Sequence, residues 1–248
     1  MVKLSVNVNK VATVRNSRGG RVPSVLEAVA VCVEAGAPGI TVHPRADERH
    51  ISAADVREIA AALAPFRGRV EFNIEGDPRP DLLALVREIK PDQCTLVPVH
   101  PGEITSHAGW PVDTRRDKME HIVSLLKADG IRVSLFVDAE ERPVRWASAV
   151  GADRVELYTE PFARASERSA PEGLSAFEQY ARMSTLAHSV GLGVNAGHDL
   201  DLENLVLFRS LPYLAEVSIG HALISRALFV GLGSVVREYL SVLSGPTA

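Results

Sequence analysis

A repeated alternation constrains this chain more than any other feature. Eight times, a short run rich in Val, Ile, Leu or Thr passes through a polar loop into a stretch with apolar residues at helical spacing. The runs predict strands near Lys3–Val8, Gly39–Val42, Val70–Ile74, Gln93–Val97, Arg132–Val137, Arg154–Tyr158, Gly191–Asn195 and Glu216–Ile219. Helices are predicted near Val25–Glu34, Ala53–Ala64, Asp81–Glu88, Asp117–Ala128, Pro143–Val150, Leu174–Ser189, Leu202–Ser210 and Ala222–Leu243. Gly36, Gly130, Gly151 and Gly191 stand where helices should stop before strands, and Ser52 is suited to cap the helix after it. Eight strand–helix units within 248 residues predict an α/β fold, a single (β/α)₈ TIM barrel over residues 1–248, rather than an open doubly wound sheet.

The rest of the sequence narrows the function classes. The net charge of −4 gives no basic surface for nucleic acid, so none is expected as a partner. The N-terminus turns polar too soon for a signal peptide, and no apolar run is long enough for a membrane span. Cys32 and Cys94 sit in apolar runs and read as buried thiols, which fits a cytoplasmic protein. No GxGxxG loop follows the first strand and no GxxxxGK[ST] loop occurs, which argues against dinucleotide and P-loop sites. Gly102–Asp113 and Pro161–Gly173 read as long loops, natural lids at a barrel mouth.

Polar residues gather where the predicted strands end: Asn7-Val8-Asn9-Lys10, His43-Pro44-Arg45, Asn73-Ile74-Glu75, Asp138, Glu156 and Glu160, Asn195-Ala196-Gly197-His198-Asp199, and Ser218-Ile219-Gly220-His221. Barrel active sites are built at that end. Any one such residue is more often a turn former or a helix cap, and Asp138 reads best as a cap. Three histidines at the ends of strands two, seven and eight do not fit eight independent caps. The two Gly-His turns after strands seven and eight suit phosphate, which backbone N–H groups and a helix N-terminus attract. Arg15, Arg18 and Arg21 around Gly19-Gly20 suit a second anion. Arg45 and His50 belong to a charge run that could equally be a solvated loop. Glu75 is the best general acid or base, and His43 and His198 complete a proton-transfer set. His43, His198, His221 and Glu75 are also donors that zinc accepts, a second reading without an HExxH motif behind it.

At these residues the chain resembles the pyridoxine 5′-phosphate synthase family. The matching segments are VNVNKVATVRNSRGG at 6–20, GITVHPRADERHI at 39–51, FNIEG at 72–76, KPDQCTLVP at 90–98, RRDKM at 115–119, GIRVSLFVDA at 130–139, GLGVNAGHDL at 191–200 and EVSIGHALISRAL at 216–228. The resemblance implies condensation of 3-amino-2-oxopropyl phosphate with 1-deoxy-D-xylulose 5-phosphate to give pyridoxine 5′-phosphate, phosphate and water. It implies no metal or organic cofactor, and a homo-octamer. By motif, Asn7, Arg18, His198-Asp199 and Gly220-His221 match positions around the aminoketone phosphate. Asn9-Lys10, Arg45, His50 and Thr105 match positions around the pentulose phosphate. His43 and Glu75 match proton acceptors, and His198 matches the proton donor. Many members carry Asp-His where this chain has Asn9-Lys10, and the loop after strand four differs as well. Two alternatives stand beside this reading: a metal-dependent sugar-phosphate isomerase or aldolase, with Lys10 as a Schiff-base lysine in one variant, and a phospholigand-binding barrel without chemistry.

Overall fold

The computed structural model describes residues 1–99 and 107–245. Among these, eight parallel strands close into a barrel in which each strand pairs with its neighbours in sequence and the last pairs with the first. The strands are β1 (Lys3–Asn7), β2 (Gly39–Val42), β3 (Glu71–Gly76), β4 (Gln93–Leu96), β5 (Arg132–Val137), β6 (Arg154–Tyr158), β7 (Gly193–Gly197) and β8 (Leu214–Ile219). The helices are α1 (Asn9–Asn16), α2 (Val25–Glu34), α3 (Ala53–Leu63), α4 (Pro80–Ile89), α5 (Arg116–Ala128), α6 (Glu141–Ala149), α7 (Glu160–Arg168), α8 (Ala170–Ser189), α9 (Leu205–Phe208), α10 (His221–Val230) and α11 (Leu232–Ser244).

The strands alternate more sharply than their apolar content suggests. One set of side chains, including Leu4, Val6, Ile40, Ile74, Leu96, Leu135, Leu157, Val194 and Val217, is fully buried in the main hydrophobic core. The other set is polar and meets across the barrel axis: Asn195 on β7 donates to Gln93 on β4 at 3.3 Å, and Ser218 on β8 reaches Glu75 on β3 at 3.5 Å. Barrel interiors are usually filled by bulky aliphatic residues. Here the apolar core lies between strands and helices, and the axis is lined by hydrogen-bonding groups. Serine, threonine and asparagine make that interior tenable by satisfying one another. Ser5 and Thr41 hydroxyls lie 2.6 Å apart, Asn73 donates to Thr41 at 3.3 Å, and Thr95 donates to Asn73 at 3.0 Å.

Several local expectations change. The first loop is shorter than expected, because Asn9–Asn16 is helical with Asn9, Val11 and Ala12 buried. The expected lid at 161–173 is mostly helix: Pro161 sits in the first turn of α7, where its missing N–H costs nothing, and Phe162, Ala163 and Ala165 are buried. The last predicted helix is two, divided at Gly231 by a φ of 86°. Asp138 is not a helix cap; it accepts the Gly109 N–H at 3.0 Å, while Glu140 occupies the position before α6. Ser52 does cap α3, in a reciprocal capping box with Asp55. The expected loop 102–113 lies partly outside the described residues. Its far stem is fixed by Trp110, which donates to the carbonyls of Phe136 at 3.0 Å and Leu96 at 2.8 Å.

Candidate active site

A cavity of about 510 Å³ opens at the carboxyl ends of the strands. Asn7, Asn9, Lys10, His43, Arg45, His50, Glu75, His198, Asp199, Gly220 and His221 all line it. Two candidates stand apart. Arg18 is exposed in the loop after α1, away from the cavity wall. Thr105 lies outside the described residues. Arg15 is used structurally, paired with Asp55 of the α3 capping box at 2.5 Å.

Glu75 is the penultimate residue of β3 and lines the cavity as a buried carboxyl. Asn7 Nδ2 donates to one oxygen at 3.4 Å, and Ser218 donates to the other at 3.5 Å. Burial pushes the carboxyl up to about 8, and the nearby Glu216 carboxylate adds to the shift. Such a group exchanges protons in either direction near neutral pH. His43 is almost fully buried beside it, and burial lowers its pKa to about 3, with His50 and Arg45 adding to the effect. Its Nε2 has no hydrogen-bond partner among the described residues. Near neutral pH the lowered pKa leaves the His43 ring uncharged. Its backbone is anchored by Asn9, whose Oδ1 accepts the His43 N–H at 2.9 Å.

His198 and Asp199 follow β7 with φ of 87° and 59°. Both carry a Cβ, so this left-handed stretch stores strain of the kind found at functional sites. His198 Nδ1 lies 2.8 Å from Asp199 Oδ2. That hydrogen bond outweighs burial, which acts the other way, and keeps the Asp199 carboxyl below the usual carboxylate range. The Tyr158 ring meets His198 edge-on at 5.2 Å. Gly220 precedes α10 and packs on Asn7; a Cβ there would lie 3.1 Å from the Asn7 Cβ. The α10 N-terminus therefore faces the cavity through Gly220 and His221, as an anion site requires. The segments after the neighbouring strands β1 and β2 bring Lys10, Arg45 and Arg49 to the same cavity as cations, with His50 among them. His50 is driven down to about 4 by burial and then by Arg45 and Lys10. Its Nδ1 accepts the Ile51 N–H at 2.9 Å, which leaves Nε2 as the protonated nitrogen of the neutral ring.

The sequence reading noted Glu156 and Glu160 at a strand end without giving them a role, and it missed Tyr158, Arg164 and His107, which also line the cavity. Alternation along β6, Arg-Val-Glu-Leu-Tyr, was the signal that puts Arg154, Glu156 and Tyr158 on one face. Glu156 is the most telling of these. It is buried, one of its oxygens has no partner among the described residues, and the other presses against Gly197, where no Cβ would fit. Burial, then Glu75 and Glu216, raise its pKa well above the ordinary value. The zinc alternative loses its geometry: among the described residues no three His, Cys, Asp or Glu side chains group closely enough to hold a metal ion.

The family model for the pyridoxal phosphate biosynthesis protein PdxJ matches residues 4–245. The chain belongs to the PdxJ family. A relative from Porphyromonas gingivalis, named pyridoxine 5′-phosphate synthase, is 49% identical over 245 residues, covering 98% of this chain and 100% of its own length. One from Christiangramia forsetii with the same name is 50% identical over 244 residues, with 98% and 100% covered. Solved structures with the same barrel include tryptophan synthase from M. tuberculosis (TM-score 0.64, 13% identity, covering 98% of this chain and 92% of that one). Phosphoribosylanthranilate isomerase from Thermotoga maritima is another (TM-score 0.57, 16% identity, 99% and 100% covered). At those identities they speak for the fold alone. Within this PdxJ family chain, the cavity gathers His43, Glu75, His198 and the Gly220-His221 turn.

Proposed function

We propose that this cavity makes pyridoxine 5′-phosphate from 3-amino-2-oxopropyl phosphate and 1-deoxy-D-xylulose 5-phosphate, releasing phosphate and water. One observation carries the reading: His43, Glu75 and His198, from three different strands, converge on a single cavity with an α10 N-terminus and the Lys10, Arg45 and Arg49 cations. Two phosphorylated substrates need two anion sites, and the α10 N-terminus and the Lys10, Arg45 and Arg49 cations are two features that suit them. Gly220 and His221 would hold the aminoketone phosphate through backbone N–H groups. Lys10, Arg45 and His50 would hold the pentulose phosphate. Thr105 and Arg18 keep the substrate-binding roles that the family motifs imply, Arg18 after a movement of its loop or from another copy.

Holding both substrates together turns a bimolecular condensation into a local one. The aminoketone nitrogen attacks the pentulose ketone, a C=N bond forms, and the ketone oxygen leaves as water. An incoming ammonium beside Glu75 favours the carboxylate, so Glu75 can take the proton that the amine must lose before it attacks. Neutral His43 then accepts a proton from carbon or oxygen during enolisation. His198 donates to a leaving oxygen, and the Asp199 carboxylate orients its ring and compensates an imidazolium. Asn7 and the protonated Glu156 would donate hydrogen bonds to developing oxyanions. The expected assembly is an octamer in the cytoplasm. Exposed Leu228, Phe229 and Val230 at the end of α10 are the kind of surface that other copies would cover.

Incubating the purified protein with both phosphates, without added metal or cofactor, tests the reading. Mass spectrometry should detect pyridoxine 5′-phosphate with inorganic phosphate in equal amount. Binding of both phosphates with no product would support the non-catalytic alternative instead.

A further inference from the structure

The end of β6 does more than close the barrel. Thr159 follows Tyr158, is fully buried, and is not part of the cavity lining. Its N–H donates to the Gly197 carbonyl at 3.0 Å. The single proton of its hydroxyl is shared between the carbonyls of Gly197, at 2.7 Å, and His198. One side chain thereby grips two successive peptide groups at the entry to the left-handed pair His198-Asp199. The exit is held from the other side. Asn204 Nδ2 donates to the Asp199 carbonyl at 3.1 Å, and Asn204 is itself locked by Asp201 through contacts of 3.0 Å and 2.8 Å.

Residues with a Cβ leave a φ near +60° to +90° unless neighbours over-determine the turn. The direction of the His198 ring depends on that turn. With an ordinary φ at either residue, the ring would swing off the Tyr158 edge and lose its short contact with Asp199. The groups around the pair come from every side: Tyr158 on β6, Arg164 on α7, His221 on α10 and Asp199 itself. A displaced ring would meet a different field as well as a different substrate atom.

We infer that Thr159 is a positioning residue for proton transfer by His198, with Asn204 as its counterpart on the far side of the turn. Thr159 touches no substrate; it acts by holding a strained turn in the one shape that aims the imidazole into the cavity. The inference rests on His198 being the proton donor proposed above.

The test compares Thr159→Val, which keeps the shape and removes the hydroxyl, with Thr159→Ser, which keeps the hydroxyl. Thr159→Val should lower kcat at least about tenfold while KM for both substrates stays within about twofold, because misplacement harms the transition state more than binding. The limb of the kcat–pH profile that disappears in His198→Gln should shift in Thr159→Val, and the ¹⁵N ring signals of His198 should move with it. Thr159→Ser should restore at least half of the wild-type kcat and the original limb. Asn204→Ala, a less buried change, should lower kcat in the same direction and serves if Thr159→Val does not fold. Wild-type kcat in the folded Val variant overturns the inference, as does an equal loss in Val and Ser. So does an unchanged kcat in Asn204→Ala when the Val variant does not fold. If His198→Gln itself turns over normally, the assignment of His198 fails; if it does not and Thr159→Val does, the positioning role alone fails.

Discussion

The two ends of the barrel interior carry the same residue types and treat them in opposite ways. At the amino ends of the strands, Glu71 is paired with both Lys3 and Arg132. Beside it, Arg132 donates to Gln93 at 2.9 Å, and Arg154 donates to Asn195 at 2.8 Å. At the carboxyl ends, Glu75 accepts only two long hydrogen bonds among the described residues, Glu156 keeps an oxygen without a partner among them, and His43 keeps its Nε2 so. Charge is compensated below and left uncompensated above. A buried polar group without a partner costs stability, so the Glu156 oxygen and the His43 nitrogen mark where the protein trades stability for reactivity.

Removing the upper carboxyl should give the largest effect. Glu75→Gln is expected to cut kcat by about 10² to 10⁴, the range typical of a positioned proton-transfer group. The variant should be as stable as wild type at pH 5 and more stable at pH 8 and above. The sign follows from the raised pKa. Between the unfolded value, about 4.3, and about 8 in the fold, the folded state binds more protons than the unfolded one. Stability therefore falls as pH rises through that window. Glutamine has no proton to lose and escapes the penalty. Thermal melts across pH 5–9 check this.

The lower carboxyl should behave in reverse. Glu71→Gln is expected to destabilise the fold by about 1 to 3 kcal/mol, between the values for exposed and buried pairs, with kcat within about twofold of wild type. Burial works against its ionisation, yet Lys3 and Arg132 hold Glu71 below the usual carboxylate range. A depressed pKa stabilises the fold above the unfolded value and loses that contribution as pH falls through the folded one. Urea midpoints of wild type and Glu71→Gln should therefore converge on acidification towards pH 3. If Glu71→Gln instead abolished turnover with stability intact, the division between the two ends would break.

The smallest expected effect links the ends. Glu216 lies near Glu71 and Arg154, accepts from Asn195 at 3.2 Å, and contributes to the raised pKa of Glu75. Glu216→Gln should shift the Glu75 titration to lower pH by a fraction of a unit to about one unit, since a like charge at this range is screened by the polar interior. The acidic limb of kcat against pH would report it.

Much of this was legible in the sequence. Strand–helix alternation gave the barrel because each strand is bounded by its own turn chemistry, as at Ser52 and Gly130. Strand-end histidines and Glu75 announced the cavity because apolar strands do not tolerate such groups casually. Other features depended on contacts far apart in the chain. Helix α1 opens at Asn9 straight after β1, with no side-chain cap to mark it. Pro161 suggested a loop, though the first turn of a helix accepts proline equally well. Arg18 has the residue type of an anion site, and only the path of its loop places it outside the cavity wall. Glu156 was visible by alternation along β6, but the absence of a partner for its carboxyl is a tertiary fact.

The central claim is that Glu75 keeps its proton near neutrality because the carboxyl end of the barrel leaves it uncompensated. The direct measurement is a ¹³C NMR titration of glutamate carboxyls in the wild-type protein, with Glu75→Gln used to assign the signal. A Glu75 midpoint near 8 is the predicted result. A midpoint among the ordinary glutamates, about 4.3, would contradict it.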